Sequence, residues 1–507
     1  MNTRTLWIGL VLVTLLSFSV LLFFGKEIYR LKPPIPEKVV SDSGEVLFTA
    51  QQIKDGQNVW QSIGGQQVGT VWGHGAYLAP DWSADWLHRE SLTILGGWSE
   101  SEFGLPFDKI DKEKQAMLEV RLQKALRANT YDQQTGILTL TADRVQAVNG
   151  NAAYYAGLFM NDPALESLRE SYSIPANTVK EKGRMDAMNA FFFWAAWACV
   201  TERPGSELTY TSNWPPDPVI GNKPSAGVVL WTGFSVIMLL VGVGLLAYYN
   251  ARNRSDVIDR SLLPQDDPLG GLNPTPSMKA VLKYYWVVVG LILLQILTGV
   301  ITAHYGVEGS GFYGLSLDSI MPYSISRTWH IQLALFWIAT AWLAAGLYIA
   351  PAVSGHEPKF QKFGVNLLFF ALLVIVLGSM AGEWMGVMQK LGLVKNFWFG
   401  HQGYEYVDLG RFWQIFLFAG FIIWLFLMFR ALWPALTKKS ESRELLILFS
   451  IATVAIALFY GAGLMWGRQT HLSIAEYWRW WVVHLWVEGF FEVFATVVAA
   501  FLFVRMG

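Results

Sequence analysis

The sequence predicts an all-α polytopic membrane protein of about eight transmembrane helices that carries one external domain. Three observations predict it. Hydrophobic residues make up 53% of the 507 and aromatic residues 15%, with 24 Trp. The net charge is −1, so no basic excess exists to meet phosphate, and nucleic acid is excluded as a partner. Apolar runs of the roughly 20 residues needed to cross about 30 Å of hydrocarbon recur near 6–25, 226–249, 284–304, 328–350, 365–387, 412–434, 445–466 and 479–505.

The first run lacks a clear A-x-A cleavage site, so residues 1–25 read as an uncleaved anchor in the lipid bilayer. Residues 26–225 form one domain, and 226–507 a bundle of seven further spans. Within the domain, "EKQAMLEVRLQKALRANTYD" (113–132) has a helical pattern, and "AFFFWAAWACV" (190–200) is too short to span and reads as a buried helix. From composition alone, such a domain is as compatible with capping the bundle as with chemistry. No internal repeat stands out.

Orientation follows from Lys and Arg. Loop 250–283 holds Arg252, Arg254, Arg260, Lys279 and Lys283, loop 351–364 holds Lys359 and Lys362, and loop 435–444 holds Lys438, Lys439 and Arg443. Loop 305–327 carries only Arg327. Assigning the basic loops to the cytoplasm puts the N-terminus inside and residues 26–225 outside.

That orientation uses no histidine or glutamate, yet it gathers several at one depth. His330, in "SRTWHIQLALFW", lies one turn inside the fourth span. His304 and Glu308, in "TAHYGVEGSG", close the outer end of the third, and Glu405, in "GHQGYEYVDLGRFWQ", precedes the sixth. The eighth span carries His484, Glu488 and Glu492 at four-residue steps, a polar stripe on one helix face. Ionisable groups inside a membrane are costly without partners or water. A lone intramembrane histidine is compatible with an interhelical hydrogen bond, and the two carboxyls with a water-filled cavity. Neutral imidazole with an added carboxylate also suits iron. His88, His356, His401 and His471 receive no role. The single cysteine, Cys199, excludes an intrachain disulfide, covalent c-type haem through CxxCH and a two-cysteine copper centre.

"WWVVHLWVEGFFE" resembles the metal-binding helix of the nitric oxide reductases of the haem–copper oxidase superfamily, in which oxygen-reducing members commonly have tyrosine where Glu488 stands. The resemblance implies that His484 and Glu488 ligate non-haem iron, with Glu488 and Glu492 the catalytic carboxylates. "SRTWHIQLALFW" is similar to the segment giving low-spin haem b an axial histidine, here His330. "GHQGYEYVDLGRFWQ" resembles the loop whose glutamate, here Glu405, binds calcium at the haem propionates. "GHGAYLAPDW" looks like the cytochrome c component of the two-chain enzymes, where a CxxCH comes before; here "NVWQSIGGQQ" holds neither cysteine nor histidine. That implies an external cytochrome c-like domain without c-haem, as in the single-chain quinol-dependent reductases, with Tyr77 a calcium contact and His304 and Glu308 at the quinol site.

The family implies reduction of two NO to N2O and water by membrane quinol, at a haem b3–non-haem iron centre fed by haem b, without copper, in the bacterial inner membrane. Members of the family continue for several more spans that carry the paired histidines of the iron site and the remaining haem ligands. An incomplete haem–copper oxidase-type bundle is therefore expected, partnered by the missing C-terminal helices or a polypeptide supplying them. Two other readings stay open, an oxygen reductase of the same superfamily and a non-catalytic truncated scaffold, as do the quinone used and formation of a homodimer.

Overall fold

A computed structural model describes residues 3–73, 78–253, 273–312, 314–438 and 443–506; for Thr3, Asn253, Phe312, 488–490 and 504–506 it describes the backbone alone. Each apolar run forms a helix long and apolar enough to cross a membrane. These are α1 (Thr3–Leu31), α8 (Ala226–Asn253), α9 (Pro276–Glu308), α10 (Tyr323–Ser354), α11 (Gln361–Val387), α13 (Arg411–Thr437), α14 (Arg443–Tyr460) and a last compound span. That last span is not one regular α-helix. It runs from α15 (Leu472–Trp480) through a π-helical stretch (Trp481–Phe490) into α16 (Phe491–Met506). A short helix, α12 (Leu393–Phe399), lies between α11 and α13. A two-stranded hairpin, β5 (Gly311–Phe312) with β6 (Leu315–Ser316), follows α9.

The domain between α1 and α8 is built from α2 (Ala50–Ser62), α3 (Trp82–Phe103), α4 (Lys112–Arg127), α5 (Ala142–Phe159), α6 (Glu166–Ser171) and α7 (Lys182–Val200). It also holds a small sheet that the helical patterns did not announce. The strands are β1 (Lys38–Ser41), β2 (Val46–Thr49), β3 (Tyr131–Asp132) and β4 (Ile137–Leu140), in the order β2-β1-β4-β3, with β1 and β4 parallel. The apolar run 190–200 is wholly buried within α7, as its shortness led one to expect. Around it packs an aromatic core: Trp82 stacks on Phe192 at 5.9 Å and Trp86 on Tyr155 at 5.2 Å. Aromatic rings bury much apolar area with few rotors, so this core is dense and directional.

The domain sits on one end of the bundle. The first turns of α10 and α15 and the last turn of α11 all meet it, through Arg327 with Gln67, Glu476 with Gln66, and Gly386 beside the loop that faces Ser62. The basic loops lie at the opposite end, where Trp7 near the N-terminus donates to Glu444 at 2.7 Å and Ser277 N–H to Glu357 at 3.1 Å. The basic loops and the domain thus occupy opposite ends, as the Lys/Arg bias predicts; residues 254–272, which carry Arg254 and Arg260, lie outside the described residues.

Candidate functional site

The junction of domain and bundle is built by backbone approach. Gly64 and Gly65 adopt φ of +108° and +47° at the start of a short 3-10 turn, Gly65–Gln67. A Cβ on Gly65 would stand 2.2 Å from the Gly403 carbonyl oxygen, and one on Gly403 2.5 Å from the Gln61 Cα. Only glycine permits both the left-handed φ and the close contact. The turn therefore presses Gln66 and Gln67, both buried, into the loop that precedes α13.

Both amides are engaged at each end. Gln67 accepts from the Arg327 guanidinium, and its Nε2 donates to Asp408 Oδ2 at 3.1 Å. Gln66 Nε2 donates to Glu476 Oε1 at 2.7 Å, while its Oε1 accepts from Glu405 N–H at 3.2 Å. Arg327 pairs with Glu405 at 2.5 Å and Arg479 with Glu476 at 2.9 Å. His401, left without a role by its sequence position, is buried at the centre. Its Nδ1 accepts from Gly403 N–H at 2.9 Å, so its Nε2–H donates to Thr328 Oγ1 at 2.8 Å and stands 3.7 Å from Asp408 Oδ1. Burial pushes His401 down to about 3, so it is neutral, and pushes Asp408 up to about 7.

His330 lies between α9 and α10. Its Nδ1–H donates to the Gln295 carbonyl at 2.9 Å. A Cβ at Gly299 would meet the ring at 2.7 Å, so glycine there makes its room. With Nδ1 protonated, the lone pair sits on Nε2, the arrangement in which histidines ligate metals. These residues fit one axial position of a haem. His304 and Glu308, one turn apart at the end of α9, bring Nε2 and Oε2 to 3.0 Å, with Glu308 about half exposed.

His484 lies on the exposed side of the π-helical stretch, stacked on Trp480 at 4.3 Å, and Glu492 is exposed on α16. The Glu488 side chain and all of Tyr77 lie outside the described residues. In a π-helix the backbone bonds run from i to i+5, so four-residue steps do not stack as in an α-helix. Among the described residues no group of three or more His, Cys, Asp or Glu is placed to hold a metal ion. His484 with one carboxylate falls short of the three or more protein ligands usual for iron or zinc. Calcium prefers six to eight oxygens, and the one described carboxylate at its expected place, Glu405, is paired with Arg327. The described residues thus do not complete a calcium site.

The residues that sequence reasoning missed are Asp408, Gln66, Gln67 and Glu383. Glu383 is fully buried near the domain end of α11, and neither of its carboxyl oxygens has a hydrogen-bond partner among the described residues. A signal for it existed, since it is an ionisable residue inside an apolar run. An apolar cavity of about 30 Å³ lies between α10, α13, α14 and the π-helical stretch, lined by Phe336, Leu343, Leu417, Tyr460 and Trp486, with Gln332 and Gln414 at its polar end.

Two family patterns match the chain in tandem. The cytochrome c-like domain of the nitric oxide reductase NorB covers residues 36–216, and "Cytochrome C and Quinol oxidase polypeptide I" covers 279–507. A similar curated protein is the nitric oxide reductase NorB chain of Stutzerimonas stutzeri, 21% identical over 229 residues. That match takes in 45% of this chain and 46% of the relative, so the chain spans about half the length of the relative it matches. The tandem match, the eight spans and the histidine prepared between α9 and α10 lead to one assignment: the chain is a NorB-like member of the haem–copper oxidase family.

Proposed function

We propose that this chain carries the electron-entry part of a quinol-dependent nitric oxide reductase, in which two NO and one quinol give N2O, water and quinone. The observation that carries the reading is a cytochrome c-like domain whose sequence has one cysteine, Cys199, and so no CxxCH to attach a c-type haem. Electrons then need another donor, and a membrane quinol supplies two together with two protons. The His304–Glu308 pair supports it as the place where a quinol hydroxyl is held, the carboxylate accepting and the imidazole relaying a proton. An apolar groove of about 620 Å³ between α9, α10 and α11 supports it further. Its α9 wall, Val287 to Leu294, begins about 15 Å along the helix from His304, a suitable course for a prenyl tail.

When bound, haem b, haem b3 and non-haem iron would supply electron transfer and NO activation; copper and c-type haem have no part in the reading. His330 would hold haem b through Nε2, with Gln295 fixing its tautomer. His484 and Glu488 would hold iron, and Glu492 would move protons, on a face completed by helices or a polypeptide outside this chain. Calcium draws no support from the described residues and enters no step. The small apolar cavity exceeds the space one water needs and suits a small uncharged substrate. By the same reading the N-terminus is cytoplasmic, the domain periplasmic, and the membrane the bacterial inner one.

The test is to reconstitute the protein with haem, iron and a reduced quinol, and to measure N2O formed from NO. Production of N2O at quinol expense supports the reading. Reduction of O2 but not NO points to an oxygen reductase. Absence of stoichiometric haem and iron, even with a polypeptide covering the rest of the relative's length supplied, points to a non-catalytic scaffold.

A further inference from the structure

The polar layer between domain and bundle contains more carboxyls than cations. Arg327 is paired with Glu405 and Arg479 with Glu476, while Arg411 spends its guanidinium on the Gly463 and Trp466 carbonyls. Asp408 and Glu383 remain, both fully buried and within electrostatic reach of each other. Asp408 Oδ2 receives two amide donors, from Gln67 and from Gln332 at 3.2 Å. Its Oδ1, like both oxygens of Glu383, has no hydrogen-bond partner among the described residues. A buried ionised carboxylate without a cation is among the most costly groups a protein can hold, whereas the neutral acid is tolerated.

What keeps Arg327 from Asp408 is the side chain of Gln67. An amide alone can accept from a guanidinium with one end and donate to a carboxyl with the other. A carboxylate at this position would lose the donor and a lysine the acceptor. An aliphatic residue would lose both and open the path between Arg327 and Asp408. The residue comes from the external domain, 260 positions from Arg327 in sequence, and the Gly64–Gly65 turn exists to bring it there.

We propose that Gln67 is a positioning residue: it directs Arg327 onto Glu405 and so leaves Asp408 a buried carboxyl without an arginine in ion-pair contact, one that binds and releases a proton. The external domain thereby sets the protonation of a group in the loop that precedes α13, at the end of the membrane bundle, a role that requires no haem in the domain. The charged and titratable groups facing Asp408 are Arg327 on α10, Glu383 on α11, Arg479 on α15, and His401 and Glu405 on its own loop. Burial, the largest influence on Asp408, already pushes it up to about 7. The inference does not depend on nitric oxide being the substrate, and its test uses no turnover.

The experiment is a pH titration of the full chain in lipid nanodiscs, followed by infrared difference spectroscopy, with Asp408→Asn identifying the Asp408 carboxyl band. In the unsubstituted protein that band titrates near neutral pH. Gln67→Leu removes the amide and moves the titration down by a pH unit or more, a tenfold gain in acidity, as Arg327 reaches Asp408. Adding Arg327→Gln to Gln67→Leu restores the original midpoint. An unmoved or raised midpoint in Gln67→Leu overturns the proposal, since the amide would then act only as a donor to Asp408. Should Gln67→Leu fail to fold, Arg327→Gln alone decides. A nearly unmoved midpoint supports the insulating role, and a rise of a unit or more overturns it.

Discussion

The surroundings of His330 and His484 differ in what this chain supplies. His330 is enclosed by its own chain: a glycine makes its space, a carbonyl fixes its tautomer, and a polar layer capped by the domain between α1 and α8 lies over the same end of the bundle. His484 stands on an exposed face with a stacked tryptophan as its ring neighbour, in a stretch whose helix is underwound. The first histidine is organised by groups within this chain. The second lies exposed beside 488–490, whose side chains lie outside the described residues. Ligand residues alone thus say little; what holds the other side of each ring separates a prepared site from half of one.

The largest effect expected is from His330→Ala, which removes low-spin haem altogether in the assembled protein while leaving the fold intact. A normal low-spin spectrum in that variant would break the comparison at its stronger side. Next, His484→Ala lowers iron per protein by at least about tenfold, the scale of perturbed metal sites, and leaves the low-spin spectrum unchanged. Loss of both signals together would mean that the two sites are one cooperative unit.

The third prediction concerns pH. Folded protein keeps a proton on Asp408 up to about pH 7, whereas the unfolded chain releases it in the ordinary carboxylate range. Stability therefore falls as pH rises through that window and levels off above it. The amplitude is at most about 4 kcal/mol, the order of magnitude set by a carboxyl held at about 7 instead of in its ordinary range. Asp408→Asn should flatten the slope of thermal midpoint against pH, and an unchanged slope would place the titration elsewhere. A smaller effect is expected from Gly299→Ala, whose methyl would crowd the His330 ring at 2.7 Å. It should cost about 1–3 kcal/mol and reduce haem occupancy several-fold, where an equivalent alanine far from His330 would not. The least is Glu308→Gln, which should raise the quinol KM by no more than about fivefold, the worth of a half-exposed pair.

Much of this architecture was legible in the residues because hydrocarbon imposes a length on every span, and length survives in sequence. The depth of His330 and the neighbourhood of His304 and Glu308 followed from the same count. Arg327 was visible only as a lone basic residue in its loop, because its partners Gln67 and Glu405 lie 260 and 78 positions away. Glu383 could have been found by the rule that singled out His484, since both are ionisable groups within an apolar run. The π-helical stretch was not legible at all. Four-residue spacing reads as one α-helical face, and only the backbone reveals that the turn has widened.

The Gly64–Gly65 turn bears on why the domain is part of the same polypeptide. Taken alone, the turn's grip is small, a backbone bond from Gln66 to Gly403 at 3.0 Å and two side-chain amides, and it sits within a wider junction that includes Gln57 with Tyr404 and Arg184 with Gln389. As a separate protein, such a contact would have to overcome the full loss of translational freedom on association. Here α1 and α8 tether the domain to the membrane at both ends, which holds the turn at an effective concentration on the order of millimolar beside its socket. Covalent connectivity lets a turn that by itself could not recruit a partner stay seated permanently.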